Sequence, residues 1–184
     1  SWRGICALFV ALFHMPLAAP IGENSFVRGS FLFVDFFFVL SGFVIAHSYT
    51  NRLNSGQELK SFLITRFGRL FPLHAFMLAA FVAFELVRFV VPQLSGGQAP
   101  FTGAFSLETL PTNLALIHGL GLQDQLTWNV PSWSISTELF AYIFFALCVL
   151  AFGKRAWIAF ALMLIAGPAL LFRLSPDFMD ATYD

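Results

Sequence analysis

The sequence predicts an all-α, polytopic transmembrane helical bundle, and three observations carry that prediction. Of 184 residues, 58% are hydrophobic and only 11% charged. A soluble domain carries about 25% charged residues, so this chain cannot cover a water-facing surface. Mean hydropathy is +0.78, and apolar runs recur at lengths that cross the hydrocarbon layer as helices. A soluble single domain, a disordered chain, a coiled coil and a basic nucleic-acid binder are excluded on these grounds. Ten Lys and Arg balance ten Asp and Glu, so net charge implies no nucleic acid or other polyanionic partner.

About five spanning helices and one short segment are expected. The first runs from Gly4 to about Ala19. A secretory leader is the alternative there, since Arg3 precedes the run and Ala18-Ala19-Pro20 is small, but His14, Pro16 and the later spans argue against it. Ser30–Ser48, rich in Phe, makes the second span, Leu70–Val91 the third, Ile135–Phe152 the fourth and Trp157–Phe172 the fifth. Between the third and fourth lies Pro92–Ser134, with Gly96-Gly97 and the apolar stretch Leu114–Leu122. That stretch is too short to span, so it lies at the interface or re-enters. Cys6 and Cys148 fall in apolar runs and read as small buried hydrophobes rather than a disulfide or a metal cluster. The chain begins at Ser1 and reads as part of a longer protein.

Lys and Arg orient the spans. Arg52, Lys60, Arg66 and Arg69 fall in one connection, Lys154 and Arg155 in another, and Arg3 ahead of the first span. With alternating spans all seven share a side, the cytoplasm. Gly22–Arg28, Pro92–Ser134 and the acidic tail Asp177–Asp184 are then outside.

Four groups of residues can carry chemistry. Arg3 and His14 are separated by about three helical turns, so they share one face roughly 16 Å apart. An ionisable group inside a span is a functional candidate, and imidazole can take and return a proton near neutral pH; a packing histidine with a snorkelling arginine is the plain alternative. Arg66 and Arg69, at i and i+3, share a face at the expected start of the third span. Two guanidinium forks beside helix N-terminal amides would clamp phosphate; ordinary cytoplasmic positive charge is the plain alternative. Asp35 places a carboxylate in an apolar span, followed by the small step Ser41-Gly42, which admits a close backbone or a thin substrate. Trp133-Ser134-Ile135-Ser136-Thr137-Glu138 opens the fourth span. Its hydroxyls can cap the helix with Glu138 in the first turn, or Glu138 can face His14 as a buried acid. No metal-ligand spacing links His47, His74 and His118, which read as packing residues.

Taken together, these motifs resemble one family. Arg3, ten residues and His14, then Val34-Asp35-Phe36-Phe37-Phe38-Val39-Leu40-Ser41-Gly42-Phe43, then Arg66-x-x-Arg69 with Phe71-Pro72-Leu73, then Trp133 to Glu138 are similar, in order, to the acyltransferase 3 family. Phe33 stands where that family commonly has glycine. The family's transmembrane domain has about ten helices, so residues 1–184 look like its N-terminal half. The resemblance implies a multi-pass protein of the bacterial inner membrane. It would move an acyl group, most often acetyl, from cytoplasmic acyl-CoA to a hydroxyl of an extracytoplasmic or membrane-associated acceptor. Acceptors in the family are mostly carbohydrates: O-antigen, peptidoglycan, exopolysaccharide or glycosylated small molecules. His14, Glu138 and Asp35 are then catalytic, and Arg3, Arg66, Arg69, Ser41 and Gly42 bind acyl-CoA. Acyl-CoA is a donor substrate rather than a resident cofactor, no metal is called for, and an extracytoplasmic domain can be fused or separate. His14 acts either as general base or as transient acyl carrier. The rival readings are half of a proton-coupled transporter and a structural subunit.

Overall fold

The computed structural model describes residues 2–15 and 24–174, without the side chains of Trp2, Arg3, Leu171, Phe172 and Leu174. Two units divide the chain, Ser1–Arg52 and Leu53–Asp184. No strand forms among the described residues. Among the described residues three stretches are long and apolar enough to cross a membrane: Ser25–Tyr49, Gly56–Val90 and Val130–Leu170.

In the first unit, α1 (Trp2–His14) precedes α2 (Ser25–Arg28) and α3 (Leu32–Tyr49), the last two joined by a 3-10 turn at Gly29–Phe31. Asn24 starts this rod by accepting the Phe26 N–H at 2.9 Å, satisfying an amide that the helix cannot. Aromatic contacts join α1 to the rod. Phe9 meets Phe26 edge-on at 4.8 Å and lies 6.2 Å from Phe33, and such pairs add about 0.5–1.5 kcal/mol each beyond area burial. Phe33, where the family commonly has glycine, thus fills a ring cluster. Among the described residues α1 has 13 residues and is about 20 Å long. The end of the expected first span, 16–19, lies outside the described residues, as do 22–23 of the first outer connection and the acidic tail.

The second unit begins with α4 (Gly56–Val90). Ser55 and Glu58 form a capping box: Ser55 Oγ accepts the Glu58 N–H at 3.3 Å, while Glu58 Oε2 accepts the Asn54 N–H at 2.8 Å. The helix therefore starts fourteen residues before the expected Leu70, and its 35 residues reach about 52 Å. After α5 (Leu110–Leu114) come α6 (Trp133–Phe152) and α7 (Ala156–Leu174), the expected fourth and fifth spans. Gly153 between them has φ 53 and ψ −127, backbone that glycine adopts without a side-chain clash. Phe145 stacks on Phe160 at 5.6 Å, whereas residues 145 and 160 of one straight helix would lie about 22 Å apart. The helix α7 therefore turns back along α6.

Helices α4 and α6 are antiparallel. Phe62 contacts Tyr142 and Phe145 at 6.1 and 6.3 Å, while His74, farther along α4, stacks on His118, which bonds Ser132 at the start of α6. Beyond His74 the rest of α4 carries the segment 91–132 as a folded cap. Arg88 pairs with Glu85, both buried, and donates to the carbonyls of Ser95 and Gln98 at 3.2 Å each. Glu85 Oε2 in turn accepts the Phe101 N–H at 2.8 Å. The buried Trp128 indole donates to Ser106 O at 3.3 Å and Thr109 Oγ1 at 3.0 Å.

Beyond the end of α5 the stretch Leu114–Leu122 is not helical. Leu116 turns into the left-handed region at φ 54 with its side chain fully buried, and the chain then runs across the first turns of α6. Ser136 Oγ donates to Leu116 O at 2.6 Å and accepts the Gly119 N–H at 3.2 Å. A Cβ on Gly119 would lie 2.7 Å from Trp133 O, so only glycine permits this approach.

Candidate functional site

In the first unit, α1 carries Arg3 and His14 on one unbroken helix, so their backbone positions share a face as the spacing predicts. His14 is the last residue of α1 and exposed. Its Nδ1 lies 2.8 Å from the Val10 carbonyl oxygen. A carbonyl only accepts, so Nδ1 carries the proton and, in the neutral ring, Nε2 holds the lone pair. The exposed Asp35 has no hydrogen-bond or charged partner among the described residues. On an apolar spanning rod that is costly until a neighbour or water covers it. A Cβ on Gly42 would meet nothing within 4 Å, so the Ser41-Gly42 step opens onto free space rather than onto a packed helix.

In the second unit, Arg66 is not at a helix N-terminus. It lies ten residues inside α4, beyond the first turn where terminal amides act. Its guanidinium sits 5.5 Å above the Phe62 ring and 5.7 Å above that of Tyr142, contacts worth about 0.5–2 kcal/mol each. Tyr142 is the middle of α6, buried, and its hydroxyl donates to Glu138 Oε1. Arg66 and Glu138, expected on opposite sides of the membrane, thus share one tyrosine. Arg69 is exposed. Tyr142 escaped the sequence reading, although its i+4 spacing from Glu138 on a helix was legible.

Nor do the hydroxyls opening α6 cap it. Ser132 Oγ donates to Asn129 O at 2.6 Å, Ser134 Oγ to Pro131 O at 2.9 Å and Thr137 Oγ1 to Trp133 O at 3.1 Å. Glu138 stands in the second turn, with no acid in the first.

His74 and His118, read as unrelated packing residues, are buried partners: their rings stack at 5.5 Å and 10°. His74 Nε2 donates to Asn113 O at 2.9 Å, and His118 Nε2 to Ser132 Oγ at 2.9 Å. Both Nδ1 atoms are buried without a hydrogen bond. Burial, and then the His74 imidazole, lower the His118 pKa from its ordinary value. Forty-four residues apart, the pair had no sequence signal. His47 instead stacks on Phe43 at 6.2 Å. Among the described residues no three His, Cys, Asp or Glu side chains gather to hold a metal, and Cys6 and Cys148 are free and buried.

Spanning helices with ionisable residues set among them define a membrane-embedded protein of enzyme or transporter type. The chain matches the acyltransferase 3 family, described as an acyltransferase domain, over residues 1–182, and it belongs to that family of membrane acyltransferases. It is 32% identical over 179 residues to protein 2 in the picA locus of Rhizobium radiobacter, covering 92% of this chain and 88% of that one. To the acyltransferase MdmB of Streptomyces mycarofaciens it is 31% identical over 118 residues, 62% of this chain and 27% of that protein. No solved structure matches significantly.

Proposed function

We propose that the full-length protein transfers an acyl group, acetyl foremost, from cytoplasmic acyl-CoA to a hydroxyl of an extracytoplasmic or membrane-associated carbohydrate, in the bacterial inner membrane. The observation that carries this reading is His14, whose Nδ1 proton is held by Val10 and whose Nε2 is left as a base at an exposed helix end. Acting as general base, Nε2 takes the acceptor's hydroxyl proton as that oxygen attacks the thioester carbonyl. The coenzyme A thiolate leaves and receives the proton from the imidazolium. Acting as carrier, Nε2 itself attacks the thioester and expels the coenzyme A thiolate; the acyl-imidazolium then passes the group to the hydroxyl, whose proton goes to the thiolate. Asp35 and Glu138 are the carboxylates assigned to the catalytic set. Arg3, Arg66 and Arg69 hold the donor's phosphates through their guanidinium forks, without help from a helix N-terminus. The open step at Ser41-Gly42 passes the pantetheine arm. Transfer of labelled acetyl from acetyl-CoA to a glycan in proteoliposomes tests this; its persistence in His14→Gln would refute it.

A proton-coupled transporter is the second reading, favoured by the Arg66–Tyr142–Glu138 cluster between two spanning helices. It requires a proton current that His14→Ala abolishes, with no acyl transfer by the parent protein.

A further inference from the structure

The cap on α4 holds a cleft of about 300 Å³ lined by Thr109, Gln123, Asp124, Gln125 and Thr127, at the small end of ligand-site volumes. Hydrogen bonds run through it in one direction. Asn113 Nδ2 donates to Thr127 Oγ1 at 2.8 Å, and Thr127 Oγ1 to Gln123 Oε1 at 2.8 Å. Gln123 Nε2 donates to Thr112 Oγ1, which donates to Thr109 O at 2.7 Å. Each hydroxyl proton is thereby assigned, and the Gln123 carboxamide cannot flip without breaking two bonds. Gln123 is left with one N–H and one oxygen lone pair, which match a vicinal diol, where one hydroxyl accepts and its neighbour donates.

Two further observations mark the place as built for a ligand. Asn113, fully buried, donates to two residues of the lining, Thr127 Oγ1 and Thr109 O, and keeps its Oδ1 without a hydrogen bond. Trp128, next in sequence to Thr127, is held at φ 56, a costly conformation for a bulky residue that persists where surroundings impose it. The lining has two amides, two hydroxyls and one carboxylate, with no cation for phosphate.

We propose that this cleft binds one neutral sugar ring of the acceptor, with Gln123 reading a vicinal diol and Asp124 and Gln125 at the rim. The proposal rests on the reading of the acceptor as a carbohydrate. Full-length protein in lipid nanodiscs is titrated with methyl glucoside, methyl rhamnoside and methyl N-acetylglucosaminide by ligand-observed NMR, and acetyl transfer to the same glycosides is followed separately. Gln123→Ala should weaken glycoside binding about 10-fold, the loss of one or two hydrogen bonds, and raise acceptor KM with acyl-CoA KM unchanged. Because Gln123 also braces the cap, Asp124→Ala/Gln125→Ala supplies a variant outside the hydrogen-bond chain, expected to shift the same constants. Glycoside binding that is absent in the parent, or that both variants retain at parental affinity, overturns the cleft. Transfer to glycosides with acceptor KM unmoved in both variants also overturns it, while the acyltransferase reading stands. Binding lost in the variants without any acyl transfer supports the cleft and removes that reading instead.

Discussion

In the first unit His14, Asp35 and His47 are exposed, and Gly42 borders free space. In the second, Glu85, Arg88, His74, His118, Asn113 and Ser136 are buried, each hydrogen-bonded within the unit. Both contain apolar helices of spanning length. The difference teaches which groups do structural work. Buried polar atoms with partners fix a conformation, and losing one partner is expensive. Exposed ionisable groups on a spanning helix stabilise nothing in the fold, so their cost points to a reaction or a ligand.

Breaking the second unit's pattern should have the largest effect. Glu85→Gln leaves the Arg88 guanidinium buried without its carboxylate, and removing one member of such a pair costs about 3–5 kcal/mol. Glu85→Leu/Arg88→Met should recover most of that. Denaturant unfolding of the detergent-solubilised protein measures both; a single substitution costing under about 1 kcal/mol would show that the pair does not hold the cap.

Next comes the mirror experiment in the first unit. His14→Gln should leave unfolding unchanged, because the side chain is exposed, yet lower acyl-transfer turnover at least about 100-fold, the low end of general-base assistance. Glutamine keeps hydrogen bonding but cannot cycle a proton. Normal turnover would make His14 a surface residue.

Glycine substitutions repeat the contrast at smaller scale. In Gly119→Ala the new methyl meets Trp133 O at 2.7 Å and Ser136 Cβ at 2.9 Å, an overpacking cost of about 1–3 kcal/mol. Gly42→Ala meets nothing within 4 Å and should stay within about 0.5 kcal/mol of the parent. If Gly42→Ala nevertheless raises acyl-CoA KM, the open step is used by substrate; equal stability losses in the two would erase the distinction between the units.

Most of the helical architecture was legible because it is written in runs of one residue class. The rod ending at Tyr49, α6 and α7 all follow from apolar length. The start of α4 was legible too, in Ser55 and Glu58, but polar residues around Lys60, Arg66 and Arg69 made it read as a loop. With the start moved to Gly56, the arginines shift from a helix end to its interior. The cap was not legible. Its contacts join His74 to His118 and Glu85 to Phe101, and three bulky residues, Phe101, Leu116 and Trp128, adopt positive φ there. Neither periodicity nor composition encodes such pairings; they arise when a polar segment has to satisfy itself against a helix.

The smallest effect expected is a pH dependence confined to that cap. His118 is buried, and desolvation first, with the His74 imidazole second, lowers its pKa below the ordinary 6.5, outweighing smaller opposing hydrogen bonds from Ser132 and Thr112. A base whose folded pKa is depressed takes up its proton more readily in the unfolded chain. Its contribution to stability is therefore complete above the unfolded value and is lost as pH falls below about 6.5 towards the folded value. Protonation would also place a cation against the His74 ring and add a proton to the buried Nδ1, which has no hydrogen bond. Hydrogen exchange of the amides in 110–132, corrected for intrinsic rates, should show less protection at pH 5.5 than at 7.5. His118→Gln, which can still donate to Ser132 but does not titrate, should remove that difference. Amides in 25–49 serve as the internal control, since the histidine on that rod, His47, is exposed. An equal loss of protection in both stretches would mean that acid loosens the whole protein, and that the buried pair is not the group responding.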